Sequence, residues 1–511
     1  MPHQRDKMKK TTPNHTLFGI RLPVELEEFL RNTNPWWMDK PMRPLPPVRR
    51  WLFETALQRL KAGLAPVTVL RGPRQVGKTT LQEHIIDHLL HQENVNPVRI
   101  FRVQFDEIPS LKGLKDPILS LSSWFENNIL RGSFNEWAHN NEPIYVFLDE
   151  VQNLKDWAPQ IKSLVDHHAV RIILTGSSAL RIEHGRDSLA GRISTLELGT
   201  LLLREVAHIR GWGEIPPLLP SNGLQLIKEQ DFWENLKKQG VKYREIRDKA
   251  FKAFSERGGY PIAQVRVDRP WEEVTDQLNE TVIRRVIQHD LRIGERGKKR
   301  DQNLLEEVFR LSCRYAGQAP SQSIFVNELR TALHANIGWA RVLSYLRFLN
   351  ETLLVHLINP LEIRLKKKKG YPKICLCDHS LRASWLQESI PVTPDGLKKS
   401  PHLSDLAGHL AESIAGYFLG GIPGLDIAWF PEREVEPEVD FVITVGEHRI
   451  PLEIKYRHKI DGHRDTLGLR AFIEKTVYNA PFGILITLFD DVKILDPRIV
   501  ALPLSSLLLM R

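Results

Sequence analysis

The segment VLRGPRQVGKTT (69–80) decides how the rest of the chain is read. It places Gly72, four intervening residues, then Gly77, Lys78 and Thr79 directly after an apolar run that predicts a strand. TLQEHIIDHLLH (80–91) follows, and its spacing predicts a helix. Each part of such a turn has a mechanical task. The loop Gly72, Pro73, Arg74, Gln75, Val76 and Gly77 brings backbone N–H groups close to phosphates at a helix N-terminus, whose dipole favours negative charge. Lys78 reaches the β- and γ-phosphates, the Thr79 hydroxyl ligates Mg2+, and Thr80 closes the cradle. The expected ligands are ATP and Mg2+.

Working outward, VTVL (67–70), VRIFRVQF (98–105), IYVFLD (144–149) and RIILTG (171–176) are short apolar runs separated by helical stretches. That alternation predicts a parallel α/β sheet, which binds ligands at its carboxyl edge. The third run ends in Asp149 and Glu150. Asp149 is expected to hold the metal, and Glu150 to polarise an attacking water. The fourth ends in Thr175, Ser177 and Ser178, one of which is expected beside the γ-phosphate as a sensor, with Ser177 the assigned contact.

The chain has 511 residues, with 71 Lys plus Arg against 62 Asp plus Glu and a net charge of +9. That length predicts several domains, and an average apolar and charged content excludes a fibrous or wholly disordered chain. No run of 18 apolar residues is present, and the basic start MPHQRDKMKKTTPNHTL (1–17) has no apolar stretch behind it, so neither a membrane span nor a secretion signal is expected. Three cysteines cannot form a disulfide framework, which fits a cytoplasmic protein. Cys375 and Cys377 alternate within KICLCD (373–378), a predicted strand showing both on one face.

Beyond residue 205 helical patterns dominate, broken by WGEIPPLLPSNG (212–223). SIFVNELRTALH (323–334) and GWARVLSYLRFLNETLLVHLINP (338–360) predict the helix, helix, strand order of a winged helix, with Arg330, Arg341 and Arg347 on exposed faces. RLKKKKGYPK (364–373) concentrates six basic residues where the wing falls, and such a wing neutralises nucleic-acid phosphates without reading bases. A solvated hairpin tip is the plain alternative.

Near the C-terminus, EVDFVITVGEHRIPLEIKYR (438–457) sets Asp440 on one strand and Glu453 and Lys455 on the next. In a hairpin, Glu453 and Lys455 share a face and converge with Asp440. Two carboxylates can bind Mg2+ while a lysine activates water for phosphodiester hydrolysis. The pattern resembles the PD-(D/E)xK nucleases, with Val439 in place of their proline. That resemblance makes Glu412, in HLAESIAGYFLGG (409–421), a further metal-binding carboxylate. A cross-strand charge cluster on a solvent face is the alternative.

The order NPWW (34–37), RGPRQVGKTT (71–80), FLDEVQ (147–152), LTGSSA (174–179) and SLAGRISTLEL (188–198) resembles a prokaryotic family of AAA-type ATPases near the STAND and archaeal ATPase groups. The resemblance makes Arg192 a candidate for neutralising γ-phosphate charge, in cis, in trans, or replaced in that role by a bracing pair with a carboxylate such as Glu197. It marks Trp36 and Trp37 as lead-in aromatics, either stacking on adenine or stapling the segment to the core, and GGYP (258–261) as a tight turn.

The expected fold is α/β. Residues 1–47 form a lead-in, 48–204 a parallel-sheet P-loop ATPase domain, 205–300 a helical lid, 301–399 a winged-helix-like region, and 400–511 a domain like the restriction endonucleases. The expected function is Mg2+-dependent ATP hydrolysis gating a nuclease-like domain that acts on DNA or other nucleic acid. The alternative is an ATP-dependent oligomerising switch or scaffold whose nuclease-like domain binds without cutting. ATP, nucleic acid and further copies of the chain are the expected partners.

Overall fold

Short apolar runs form strands here because both faces of the resulting sheet are covered. β1 (Val67–Arg71), β2 (Ile100–Gln104), β3 (Ile144–Asp149) and β4 (Val170–Gly176) fall on the four runs, and every residue of β3 is buried. β2 pairs with β3, β3 with β4 and β4 with β1, all in parallel. β5 (Ile193–Glu197) completes the order β2-β3-β4-β1-β5. Its largely half-buried residues carry no apolar run, so its sequence gives little strand signal.

The computed structural model describes residues 21–108, 111, 114–176, 189–219, 223–288, 301–362, 370–432 and 436–511. Two compact units emerge: Met1–Arg71 with Lys78–Leu196, and Gly72–Gly77 with Glu197–Arg511. In the first, Val69, Val103, Val146 and Ile172 pack with Trp124, Phe125 and Ile161 in one core.

In the second unit, no strand occurs among the described residues from 205 to 300. The helices Gln302–Arg314, Gln322–Leu333 and Trp339–Glu351 precede β6 (Val355–Ile358) and β7 (Lys373–Leu376), which pair antiparallel. Arg330, Arg341 and Arg347 are exposed. The cluster Arg364 to Lys369 lies outside the described residues.

The long helix Ser404–Gly420 leads into β8 (Asp426–Phe430), β9 (Val439–Val445) and β10 (His448–Lys455). The helix Leu467–Glu474, β11 (Gly483–Thr487) and β12 (Ile499–Pro503) follow. The sheet order is β12-β11-β10-β9-β8, antiparallel from β8 to β10 and parallel from β10 to β12. Phe430, Val442, Leu469, Phe472 and Leu485 form its core on one face. β12 escapes the sequence reading, because five wholly buried residues show no periodicity.

Candidate functional sites

At the carboxyl edge of β1 the chain turns through Gly72–Gly77 and enters the helix Lys78–His91. Gln75 (φ 63°) and Gly77 (φ 91°) take left-handed conformations that curl the loop. Gly72 meets a second constraint: a Cβ there would lie 2.2 Å from the carbonyl oxygen of Leu198. The glycine is required by packing as well as by any approach to phosphate. Lys78, 5% exposed, opens the helix, and Thr79 and Thr80 follow in its first turn.

β4 lies between β1 and β3, so its last polar residue reaches the strand end that carries the acids. Asp149 is 1% exposed. Its Oδ2 accepts a hydrogen bond from Thr79 Oγ1 at 2.8 Å, and its Oδ1 accepts one from Thr175 Oγ1. Burial pushes the Asp149 carboxyl above its ordinary range, and the two hydroxyls oppose that shift only in part.

Glu150 follows in a left-handed conformation (φ 52°, ψ 43°), costly for a residue with a Cβ. Its N–H donates to Thr175 Oγ1 at 3.0 Å, and its carboxylate accepts from Gln152 Nε2. Thr175 therefore contacts both acidic positions, while Ser177 and Ser178 lie outside the described residues. Gln152, the last residue of FLDEVQ (147–152), is a contact of Glu150 that the sequence pattern does not single out.

Arg192 stands elsewhere. Its carbonyl accepts from the N–H of Val67, the first residue of β1, at 3.1 Å. At about 3.3 Å per strand residue, it is level with a point roughly 13 Å from the Arg71 end that leads into the phosphate loop. Its guanidinium pairs with Asp166, at 2.5 and 3.1 Å, and not with Glu197. Arg192 is thus paired with Asp166 beside the start of β1. Trp36 and Trp37 both donate to the carbonyl of Ile100, the first residue of β2, at 3.1 and 2.9 Å. They staple the lead-in to the sheet, at the end away from the phosphate loop.

The second constellation forms in the C-terminal domain. Leu452 pairs with Phe441, and one step further along the antiparallel ladder Glu453 faces Asp440. Asp440 Oδ2 accepts from the N–H of Ile454 at 2.8 Å, and Lys455 donates to Glu453 Oε1. Glu412 is brought in by the helix Ser404–Gly420, which packs tightly because Gly416, one turn on, has no side chain. A Cβ at Gly416 would lie 2.5 Å from Cys375 Sγ and 2.8 Å from Phe441 Cζ.

Lys373 was missed as a site residue. Assigned to the basic wing, it is instead 1% exposed, and its Nζ donates to Glu412 Oε2 at 2.7 Å and Asp440 Oδ1 at 3.0 Å. A signal existed: Lys373 shares its strand face with Cys375 and Cys377, both buried. Among the described residues, no three His, Cys, Asp or Glu side chains are arranged to hold a metal ion. Glu412 and Asp440 converge on the Lys373 ammonium, with Glu438 at 3.7 Å, while Glu453 pairs with Lys455.

Electrostatics follow this arrangement. Burial and the neighbouring Asp440 push the Glu453 carboxyl up to about 8, against the pull of Lys455. Burial would raise Asp440 too, but Lys373 and the Ile454 N–H hold it below its ordinary value.

Residues 65–207 match the AAA_14 family, described as an AAA domain. An uncharacterised protein of Methanocaldococcus jannaschii is 27% identical over 282 residues, 54% of this chain and 54% of that protein. An uncharacterised protein of Mycobacterium tuberculosis is 32% identical over 174 residues, 32% of this chain and 33% of that one. The chain thus spans about half or less of the curated relatives it matches. Among solved structures, the Walker-type ATPase of Pyrococcus abyssi aligns with 68% of this chain and 99% of its own, at 14% identity and a TM-score of 0.40. Residues 65–207 are thus similar to an AAA domain, and no helix among the described residues is long and apolar enough to cross a membrane.

Proposed function

We propose that this chain binds and hydrolyses ATP with Mg2+ and uses its nucleotide state to gate a C-terminal nuclease-like domain that acts on nucleic acid. One observation carries the ATPase reading: Thr79, Asp149 and Thr175 form a hydrogen-bonded set between the loop-bearing helix and the strand ends. Hard oxygen donors beside a buried carboxylate suit Mg2+, with Thr79 and Asp149 holding it. The ion would supply charge neutralisation to the β- and γ-phosphates. Lys78 contributes a fixed positive charge at the loop, Glu150 takes a proton from the attacking water, and Thr175 holds both acidic positions in register.

Gating is supported by a run of contacts inside the second unit. Gly72 abuts the Leu198 carbonyl, and the Leu201 N–H donates to the Gly259 carbonyl at 2.7 Å. The Gly259 N–H donates to Asp378 Oδ2 at 2.6 Å, and Asp378 lies just beyond β7, the strand that begins with Lys373. GGYP (258–261) is thus a connector between the phosphate loop and the C-terminal constellation. The turnover of ATP by purified protein, with plasmid cleavage followed in the same reaction, tests the proposal. ATP turnover without cleavage on any nucleic acid supports the second reading, a switch with a binding domain, which the lysine among the carboxylates favours.

A further inference from the structure

β7 is buried along its whole length, yet it begins with a lysine. Removing an ammonium from water costs several kcal/mol unless its donors are satisfied. Lys373 meets that demand with Glu412 at 2.7 Å, Asp440 at 3.0 Å and Glu438 at 3.7 Å. The rings of Phe441 and Trp429 also stand 5.1 and 5.8 Å from Nζ. The remaining carboxylate, Glu453, is 8% exposed; Lys455 holds its Oε1, while its Oε2 is buried without a hydrogen-bond partner.

We propose that Lys373 is an internal cation that takes the divalent-metal position of the Glu412, Asp440 and Glu453 cluster and excludes metal from it. The inference rests on the nuclease-like reading of those carboxylates. Mg2+ requires oxygens at about 2.0–2.1 Å in near-octahedral array. The ammonium already stands between Glu412 and Asp440, and a second cation touching the same oxygens would be repelled at close range. Glu453 Oε2 is the ligand left over, and one carboxylate oxygen does not make a site. With the ammonium gone, the buried Asp440 and Glu453 and the partly buried Glu412 would be left with Lys455 as their close counter-charge. A divalent ion would then be drawn in.

Mn2+ is the probe, read by loss of its free-ion spin resonance signal on titration into the full chain without nucleotide. The parent and Asp440→Asn are expected to bind equal amounts, because the cluster takes no ion. Lys373→Met is expected to bind one additional ion per chain, lost again when Asp440→Asn is added, and its Tm should rise with Mn2+. A parent that binds an ion which Asp440→Asn loses overturns the exclusion by Lys373 and leaves the metal-site reading intact. A folded Lys373→Met that binds no additional ion overturns both. Should Lys373→Met not fold, Lys373→Gln, which keeps a neutral donor beside Glu412 and Asp440, takes its place with the same two outcomes.

Discussion

Thr79 Oγ1 lies 2.8 Å from Asp149 Oδ2, joining the first turn of a helix to the end of a strand 70 residues further along the chain. Both oxygens belong to residues that would hold Mg2+, which would supply charge neutralisation to the phosphates. Asp149 is fixed on its other side by Thr175. Under the proposed ATPase reading, Glu150 is the residue that would act on water.

Glu150→Gln should keep ATP affinity within about two-fold and slow turnover by about 100-fold or more, since a positioned general base contributes at least that much. Equilibrium binding of a fluorescent ATP analogue beside steady-state phosphate release checks both halves. Equal turnover in variant and parent removes Glu150 from the chemistry.

Trp37, half-buried, packs against the first unit's core, 5.9 Å from Phe101 and 5.6 Å from Phe125 between ring centroids. Trp37→Ala should cost about 2–3 kcal/mol, below the usual range for a fully buried aromatic, with ATP affinity unchanged. A large loss of affinity at unchanged Tm would instead assign the ring to adenine.

Arg247, with its side chain 2% exposed, grips Asp490 through two bonds of 2.7 and 2.8 Å. Burial raises the Asp490 carboxyl, but the Arg247 bonds outweigh it and hold the group below its ordinary 3.8. A depressed carboxylate stabilises the fold fully above the unfolded value, and that contribution disappears as pH falls through the folded one. Asp490→Asn should cost about 3 kcal/mol at neutral pH, near the low end for breaking a buried pair, because Asp248 and Ser506 still contact Arg247. The variant should also lose part of the parent's destabilisation below pH 3.8, measurable by denaturant unfolding across pH.

If the GGYP segment transmits nucleotide state, a non-hydrolysable ATP analogue should change amide exchange in residues 371–378 of the parent. In Asp378→Asn, which weakens the 2.6 Å bond from Gly259, the change should be confined to the phosphate loop and its helix. Identical exchange responses in both proteins would contradict the coupling.

The four buried strands and the phosphate loop were legible because each is a run of one character bounded by turn residues. Position within a sheet was not. Arg192 was marked by the family resemblance alone, and no run of residues around it shows that β5 begins beside Val67. Lys373 was hidden for a different reason: lysines next to lysines read as solvated. The two cysteines in phase with it were the contrary sign, and only the packing of Gly416 against Cys375 explains why that face is closed. Asp440 and Glu453 were found by strand alternation, whereas the ion that accompanies them was a matter of tertiary structure.

The central claim is that the phosphate loop serves ATP hydrolysis. Phosphate release should be followed with ATP and Mg2+, in parent and in Lys78→Ala at matched fold by circular dichroism. Steady Mg2+-dependent release by the parent, abolished by EDTA and reduced to background in Lys78→Ala, is the predicted result. Release that is equal in the two proteins, or absent from a folded parent that nonetheless binds ATP, would contradict it.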